Sequence, residues 1–141
     1  MKLSRSSSYA LLALVHLARG APDQSVPSHV IAQADGTPDR FLLKILKPLV
    51  VGRILYSVKG PNGGYRLARA PEKISVLEVV EAVDGPLRGE APTVGMGDAA
   101  ALDQRLDAEC QKVAELVRGQ LRKVSIQNLA GKRIKDDAAS V

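Results

Sequence analysis

Apolar residues recur at helical spacing in several stretches of the chain and alternate in one short stretch between them. From Ser4 to about Arg19, Tyr9, Leu12 and Val15, with Leu11 and Leu14 beside them, form a broad apolar face behind a serine that can cap the helix. Gly20-Ala21-Pro22-Asp23 ends this first helix. Pro27 opens a second, running to Asp35, in which Val30, Ile31 and Ala34 are helically spaced. Gly36-Thr37-Pro38 reads as a tight turn, with Thr37 as N-cap and Pro38 as the first residue of a third helix. The core positions of that helix are Phe41 or Leu42, Ile45, Leu46 and Leu49. The same spacing leaves Arg40, Leu43, Lys44 and Lys47 on the opposite face. Pro48 removes the amide that would bond to the Lys44 carbonyl, which predicts a kink or early end there. Two helices joined by a short glycine-containing turn, the second with a basic face, read as a helix-turn-helix.

Beyond it, Ile54, Tyr56 and Val58, then Tyr65 and Leu67, alternate as half-buried strands do. Asn62-Gly63-Gly64 between them is hairpin-turn chemistry, since each residue tolerates positive φ. A hairpin tipped by glycine lets its backbone approach a ligand, and Lys59 and Arg66 flanking it point to an anionic one. Ser75 and Glu78 form a capping box for a fourth helix through Val83, with Val76, Val79, Val80 and Val83 inward and Gly85-Pro86 as its stop. Residues 87–101 have no period and are expected to be a loop. A long helix comes next, in which Leu102, Leu106, Cys110, Val113, Val117, Leu121 and Val124 are spaced close to the heptad period. Charged residues surround this narrow seam, which points to an intersubunit helix; packing on its own domain is the alternative. Ser125 to Ala130 adds a short turn, and residues 131–141 are a polar tail expected to be disordered.

These elements define a fold class that is mainly α with a small β-hairpin. A winged helix-turn-helix domain occupies residues 1–86, a loop 87–101, and a dimerisation helix region 102–130. Composition agrees with a polyanion partner. The formal charge is +5, and all of the excess lies in residues 1–88, which hold 12 Lys and Arg against 7 Asp and Glu; residues 89–141 hold 8 of each. A single cysteine gives no intramolecular disulfide framework and fits a reducing cytoplasm. The apolar run from Leu11 to Leu17 is too short to span a bilayer, and the chain reads as a cytoplasmic protein with no membrane partner.

The start Met1-Lys2-Leu3-Ser4 with Tyr9-Ala10-Leu11, the third-helix run Phe41 to Leu49, and the stretch Ser57 to Arg69 together resemble the Rrf-two family of bacterial winged-helix transcription regulators. Ile74 to Val79 and Val83-Asp84-Gly85 continue the likeness. The resemblance implies a homodimer placing two recognition helices in successive major grooves and two wings in flanking minor grooves of a palindromic operator, most often as a repressor. Arg40 and Lys44 then suit guanine edges or phosphates, and Leu43 thymine methyls. Lys47, Asn62 and Arg66 complete the helix and wing set, while Lys2 and Arg5 at the start of the first helix are phosphate-contact candidates. Lys59 stands where the family usually has arginine and lacks that side chain's planar fork.

Many relatives carry three closely spaced cysteines before the long helix, and these hold an iron-sulfur cluster. Residues 89–107 here contain none, so neither a cluster nor another metal cofactor is expected. Cys110 reads either as a small apolar seam residue or as a redox sensor. His16 and His29 lie near no cysteine, and no motif identifies a small-molecule or redox effector. An enzyme is not expected: no Lys-Ser/Thr follows Gly63-Gly64 as a nucleotide loop requires, and no nucleophile, base and orienting carboxylate assemble. The remaining alternative, a winged-helix protein-interaction module without DNA binding, calls for an acidic or neutral recognition face. The face here is basic.

Overall fold

The structure is a computed structural model that describes residues 2–91 and 95–131. In chain order it comprises α1 (Arg5–Arg19), α2 (Ser28–Asp35), α3 (Asp39–Val51), β1 (Leu55–Val58), β2 (Gly64–Leu67), a 3-10 turn at Pro71–Lys73, α4 (Val76–Asp84), α5 (Asp98–Lys123) and α6 (Ile126–Ala130). Helix α1 lies at the centre, in contact with α2, α3, α4 and α6. Its Ser4 cap forms as expected, accepting from the Ser7 amide. The apolar face forms in part, with Leu14 in the core and Tyr9, Leu11 and Val15 packed against it. Ala10, Ala13, Leu14, Leu17 and Ala18 are buried, while Tyr9 and Val15 are half-buried and Leu12 is exposed. Neighbouring helices approach α1 along its alanines, where small side chains allow close contact, so the buried stripe follows residue size as well as hydropathy.

Helix α2 buries Ile31 and Ala32 and leaves Val30 and Ala34 exposed. Thr37 is not the cap of α3. Pro38 takes that position in extended geometry without a side-chain hydrogen bond, and Thr37 turns inward, its Oγ1 buried without a partner. Within α3 the predicted core stripe is the observed one, with Leu42 the buried member of the Phe41/Leu42 choice. Pro48 does not end the helix, which continues to Val51.

The capping box of α4 is present: Ser75 Oγ accepts from the Glu78 amide (3.1 Å) and Glu78 Oε2 accepts from the Ser75 amide (2.9 Å). Arg69 adds a 3.0 Å ion pair to the same carboxylate. Burial pushes the Glu78 carboxyl up, but the Ser75 amide and the Arg69 guanidinium outweigh it and hold the group below its ordinary value of 4.5. A lowered folded pKa contributes stability that is present above the unfolded value and lost as pH falls through the folded one. Urea unfolding at pH 6 and pH 3.5 will therefore show a larger acid loss in the wild type than in Glu78→Gln, by less than about 1 kcal/mol because the pair is partly exposed. Equal losses would refute it.

The long helix begins at Asp98, four residues inside the expected loop, and ends at Lys123. Val124 is therefore not a seam residue. It is the extended C-cap, and its carbonyl accepts from the Val76 amide (2.8 Å) while the Ile126 amide donates to the Ile74 carbonyl (2.8 Å). This crossing returns the chain to the first domain, where Ile126 and Ala130 of α6 are buried in the common core. Residues 92–94 of the expected loop and 132–141 of the expected tail lie outside the described residues. No helix among the described residues is long and apolar enough to cross a membrane.

Candidate nucleic-acid interface

The α2–α3 turn is made by Gly36, which holds φ 66°, a left-handed value that favours glycine. Burying Leu42, Ile45, Leu46 and Leu49 rotates Arg40, Leu43, Lys44 and Lys47 into solvent together. Leu43 is thus an apolar group exposed within a basic face, with no core to serve. The wing rises directly from this helix. The Gly52 and Ile54 amides donate to the Pro48 and Leu49 carbonyls (both 2.9 Å), and only Gly52 to Ile54 separates α3 from β1.

Strands β1 and β2 pair antiparallel, Leu55 opposite Leu67 and Tyr56 opposite Arg66. Alternation then places Leu55 on the core side and Tyr56 outward, the reverse of the sequence expectation, because buried Ile54 precedes the strand and is not in phase with it. The turn also sits earlier than expected. The Gly60 carbonyl accepts from the Gly63 amide (2.9 Å), with Pro61 and Asn62 in the central positions. Positive φ falls on Gly60 (108°) and Gly64 (146°), not on Asn62. A Cβ on Gly64 would strike the Val26 carbonyl; Val26 and Tyr65 exchange backbone hydrogen bonds of 2.9 and 2.8 Å there. The α1–α2 connection thereby braces the wing.

Lys59 and Asn62 are both exposed at the tip. Arg66 is not beside them: it is half-buried on the strand body, its guanidinium carbon 5.5 Å from the centre of the Tyr56 ring. Lys2 and Arg5 are exposed at the start of α1. Asp84 fixes that terminus to the end of α4, accepting from the hydroxyls of Ser4 (2.6 and 2.8 Å) and Ser7 (2.6 Å). Two surface groups are not marked as such by the sequence pattern. Arg53, exposed between α3 and the wing, holds φ 58°, and Tyr56 has the spacing of a core residue. A glycine and a basic residue directly after an apolar helix are the available signal for Arg53.

On α5 the apolar seam is split. Leu102, Leu106 and Val113 are exposed, while Cys110, Val117 and Leu121 are half-buried. Leu116, outside the predicted seam, is exposed as well. Gly89 lies so close to the Cys110 carbonyl that no Cβ fits between them, and Arg118 pairs with Glu81 of α4. These contacts hold one side of α5 to its own domain and leave the Leu106/Val113 side bare.

A helix-turn-helix continued into a β-wing defines a winged-helix protein. A family model described as Rrf2, iron-dependent transcriptional regulator, matches residues 3–132, and the chain belongs to that family. It is 39% identical over 98 residues to a Mycobacterium tuberculosis (H37Rv) protein named as an HTH-type transcriptional regulator, covering 70% of this chain and 60% of that one. Similarity to BadM of Rhodopseudomonas palustris, also named as an HTH-type transcriptional regulator, is 32% over 133 residues, or 92% of this chain and 81% of BadM. The solved structure of CymR, the global cysteine regulator of Bacillus subtilis, shares the fold, with TM-score 0.73 and 21% identity over 92% of this chain and 96% of that one. The family and these relatives are transcriptional regulators, not enzymes.

The iron in the family's description finds no matching donor set among the described residues. The chain has one cysteine, and no three His, Cys, Asp or Glu side chains come together among the described residues in a way that could hold a metal ion.

Proposed function

We propose that this chain is a homodimeric, sequence-specific DNA-binding regulator that represses by occluding a promoter. The observation that carries the reading is the exposed face of α3, where Arg40, Lys44 and Lys47 surround Leu43 directly opposite the buried stripe. Cations fix register on phosphates and reach guanine edges, and an apolar side chain among them suits a thymine methyl. Lys59 and Asn62 at the wing tip fit a narrow minor groove, whose negative potential attracts lysine. Arg66, held against Tyr56, serves the wing's shape more than its reach. The bare side of α5 supports assembly through Leu102, Leu106 and Val113, to which Leu116 is added. We further propose that regulation needs no iron-sulfur cluster and that Cys110 is a packing residue, since its backbone lies directly under Gly89.

Binding to promoter fragments, measured between 50 and 200 mM salt, will weaken by orders of magnitude as phosphate counterions cease to be a driving force. Salt-insensitive binding, or none to any genomic fragment, would instead support a protein-interaction module.

A further inference from the structure

The bare side of α5 has a direction. Leu102, Leu106, Glu109, Val113 and Leu116 follow one another at alternating steps of four and three residues, and all five are exposed. This is the period of a helix that packs along a second helix, and one of its positions is charged. Glu109 lies at the middle, its Oε1 2.9 Å from Lys112 Nζ one turn on. So exposed an ion pair adds little to the stability of its own helix, whereas an apolar side chain would have made the stripe continuous. A polar residue at one seam position is a known means by which paired helices fix orientation and register, at a cost in stability.

Charge is sorted along the same helix. Residues 98–110 carry Asp98, Asp103, Asp107 and Glu109 against Arg105 alone, and residues 111–123 carry Lys112, Arg118, Arg122 and Lys123 against Glu115 alone. Contacts within the chain occupy some of these groups: Asp103 and Asp107 accept from the amides of Gly95 and Ala91 (both 3.4 Å), and Arg118 pairs with Glu81. Asp98, Arg105, Arg122 and Lys123 are exposed and in no ion pair among the described residues. The helix dipole favours acid in the first turn and base in the last, which accounts for Asp98, Arg122 and Lys123. It does not reach Asp107, Glu109 or Lys112 in the middle. Two such helices side by side and parallel set acid along acid and base along base, whereas antiparallel helices set each acidic half along a basic one.

We propose that the bare side of α5 takes the α5 of a second copy antiparallel, the two helices crossing near Glu109, with Leu102 of each against Leu116 of the other and Leu106 against Val113. The inference rests on the homodimer reading and gives it a direction. About the twofold axis the two Glu109–Lys112 pairs meet head to tail, so each carboxylate has an ammonium from its own chain and one from the other. Parallel pairing puts Glu109 directly opposite its counterpart, two carboxylates facing each other within an apolar stripe. Glu109 is therefore a specificity residue, which weakens the seam it interrupts and excludes the wrong arrangement.

Cross-linking of the full chain tests the direction. Leu102→Cys and Leu116→Cys, made separately in a Cys110→Ser background, are treated with a short bismaleimide alone and after mixing to allow subunit exchange. The two positions lie about 21 Å apart along the helix, at 1.5 Å per residue, beyond the reach of the linker. The mixture will give at least tenfold more cross-linked dimer than either variant alone. Cross-linking of either variant to itself as efficient as that of the mixture would overturn the proposal, and so would a mixture that sediments as a dimer without cross-linking. A charge exchange that leaves Cys110 and the apolar positions intact is the second measurement. Glu109→Lys will weaken the dimer at least tenfold in sedimentation, and Glu109→Lys with Lys112→Glu will recover most of that loss. Parallel helices would exchange one like-charge pair for another, so a Glu109→Lys chain that dimerises as well as the wild type would refute the antiparallel arrangement. A wild-type chain that stays monomeric at every concentration would instead remove the homodimer reading itself.

Discussion

Replacing Arg40 and Lys44 together with alanine will lower operator affinity by roughly a hundredfold or more, since a good base contact discriminates by about 1–3 kcal/mol and each 1.4 kcal/mol is tenfold. Both side chains are solvent-exposed on α3, while the helix is held by Leu42, Leu46 and Leu49 on its other side. The melting temperature of the variant will therefore stay close to that of the wild type, because surface substitutions of this kind change stability by about 0.5 kcal/mol or less. A charge-matched control separates reading from simple attraction. Arg122→Ala with Lys123→Ala removes two exposed cations from the end of α5, where no groove is expected. Fluorescence anisotropy should show a far smaller loss for that pair. Equal losses would mean that α3 supplies charge without sequence recognition.

The amphipathic pattern of α3 is legible because one helix divides sharply between a core of branched aliphatics and a cationic face. Where burial is decided by one element's own period, the sequence states it plainly. The Ser75/Glu78 capping box is equally legible, since its two reciprocal bonds span only three residues. Features set by other elements are not. The buried stripe of α1 runs through Ala10, Ala13 and Ala18 because several helices meet there, and alanine carries little hydrophobic signal. The wing's phase depends on Leu55 pairing with Leu67, so counting Ile54 into the strand displaces Tyr56 by one face. Val124 continues the seam's spacing on paper, yet a backbone bond to Val76 draws it out of the helix. For the candidate interface, the shared exposure of Arg40, Leu43, Lys44 and Lys47 and the place of the hairpin tip are legible, whereas Arg66 lies off the tip because its contact with Tyr56 crosses between strands. Leu116 is hidden for the same kind of reason: its exposure depends on which side of α5 faces α4 and residues 87–91.

That side also determines the effect of breaking the seam. Leu106 is 47% and Val113 59% exposed, whereas Arg118 and Gly89 hold the neighbouring flank to the same chain. A Leu106→Glu, Val113→Glu double variant keeps its intrachain contacts and places like charges where two copies of α5 would meet. In the proposed homodimer this produces repulsion and desolvation without a compensating partner. Analytical ultracentrifugation will show a monomer at concentrations where the wild type is a dimer, with helicity by circular dichroism retained. Operator affinity will fall by about 10²–10⁴, the advantage that linked half-site binding gives over a single module. Gln111→Glu adds a charge beside Asp107, away from Val113, and will keep the dimer. A double variant that still sediments as a dimer would place the interface elsewhere. If it became monomeric yet bound the full operator as tightly as before, two-site recognition would be refuted while α3 and the wing remained a reading surface for a single copy.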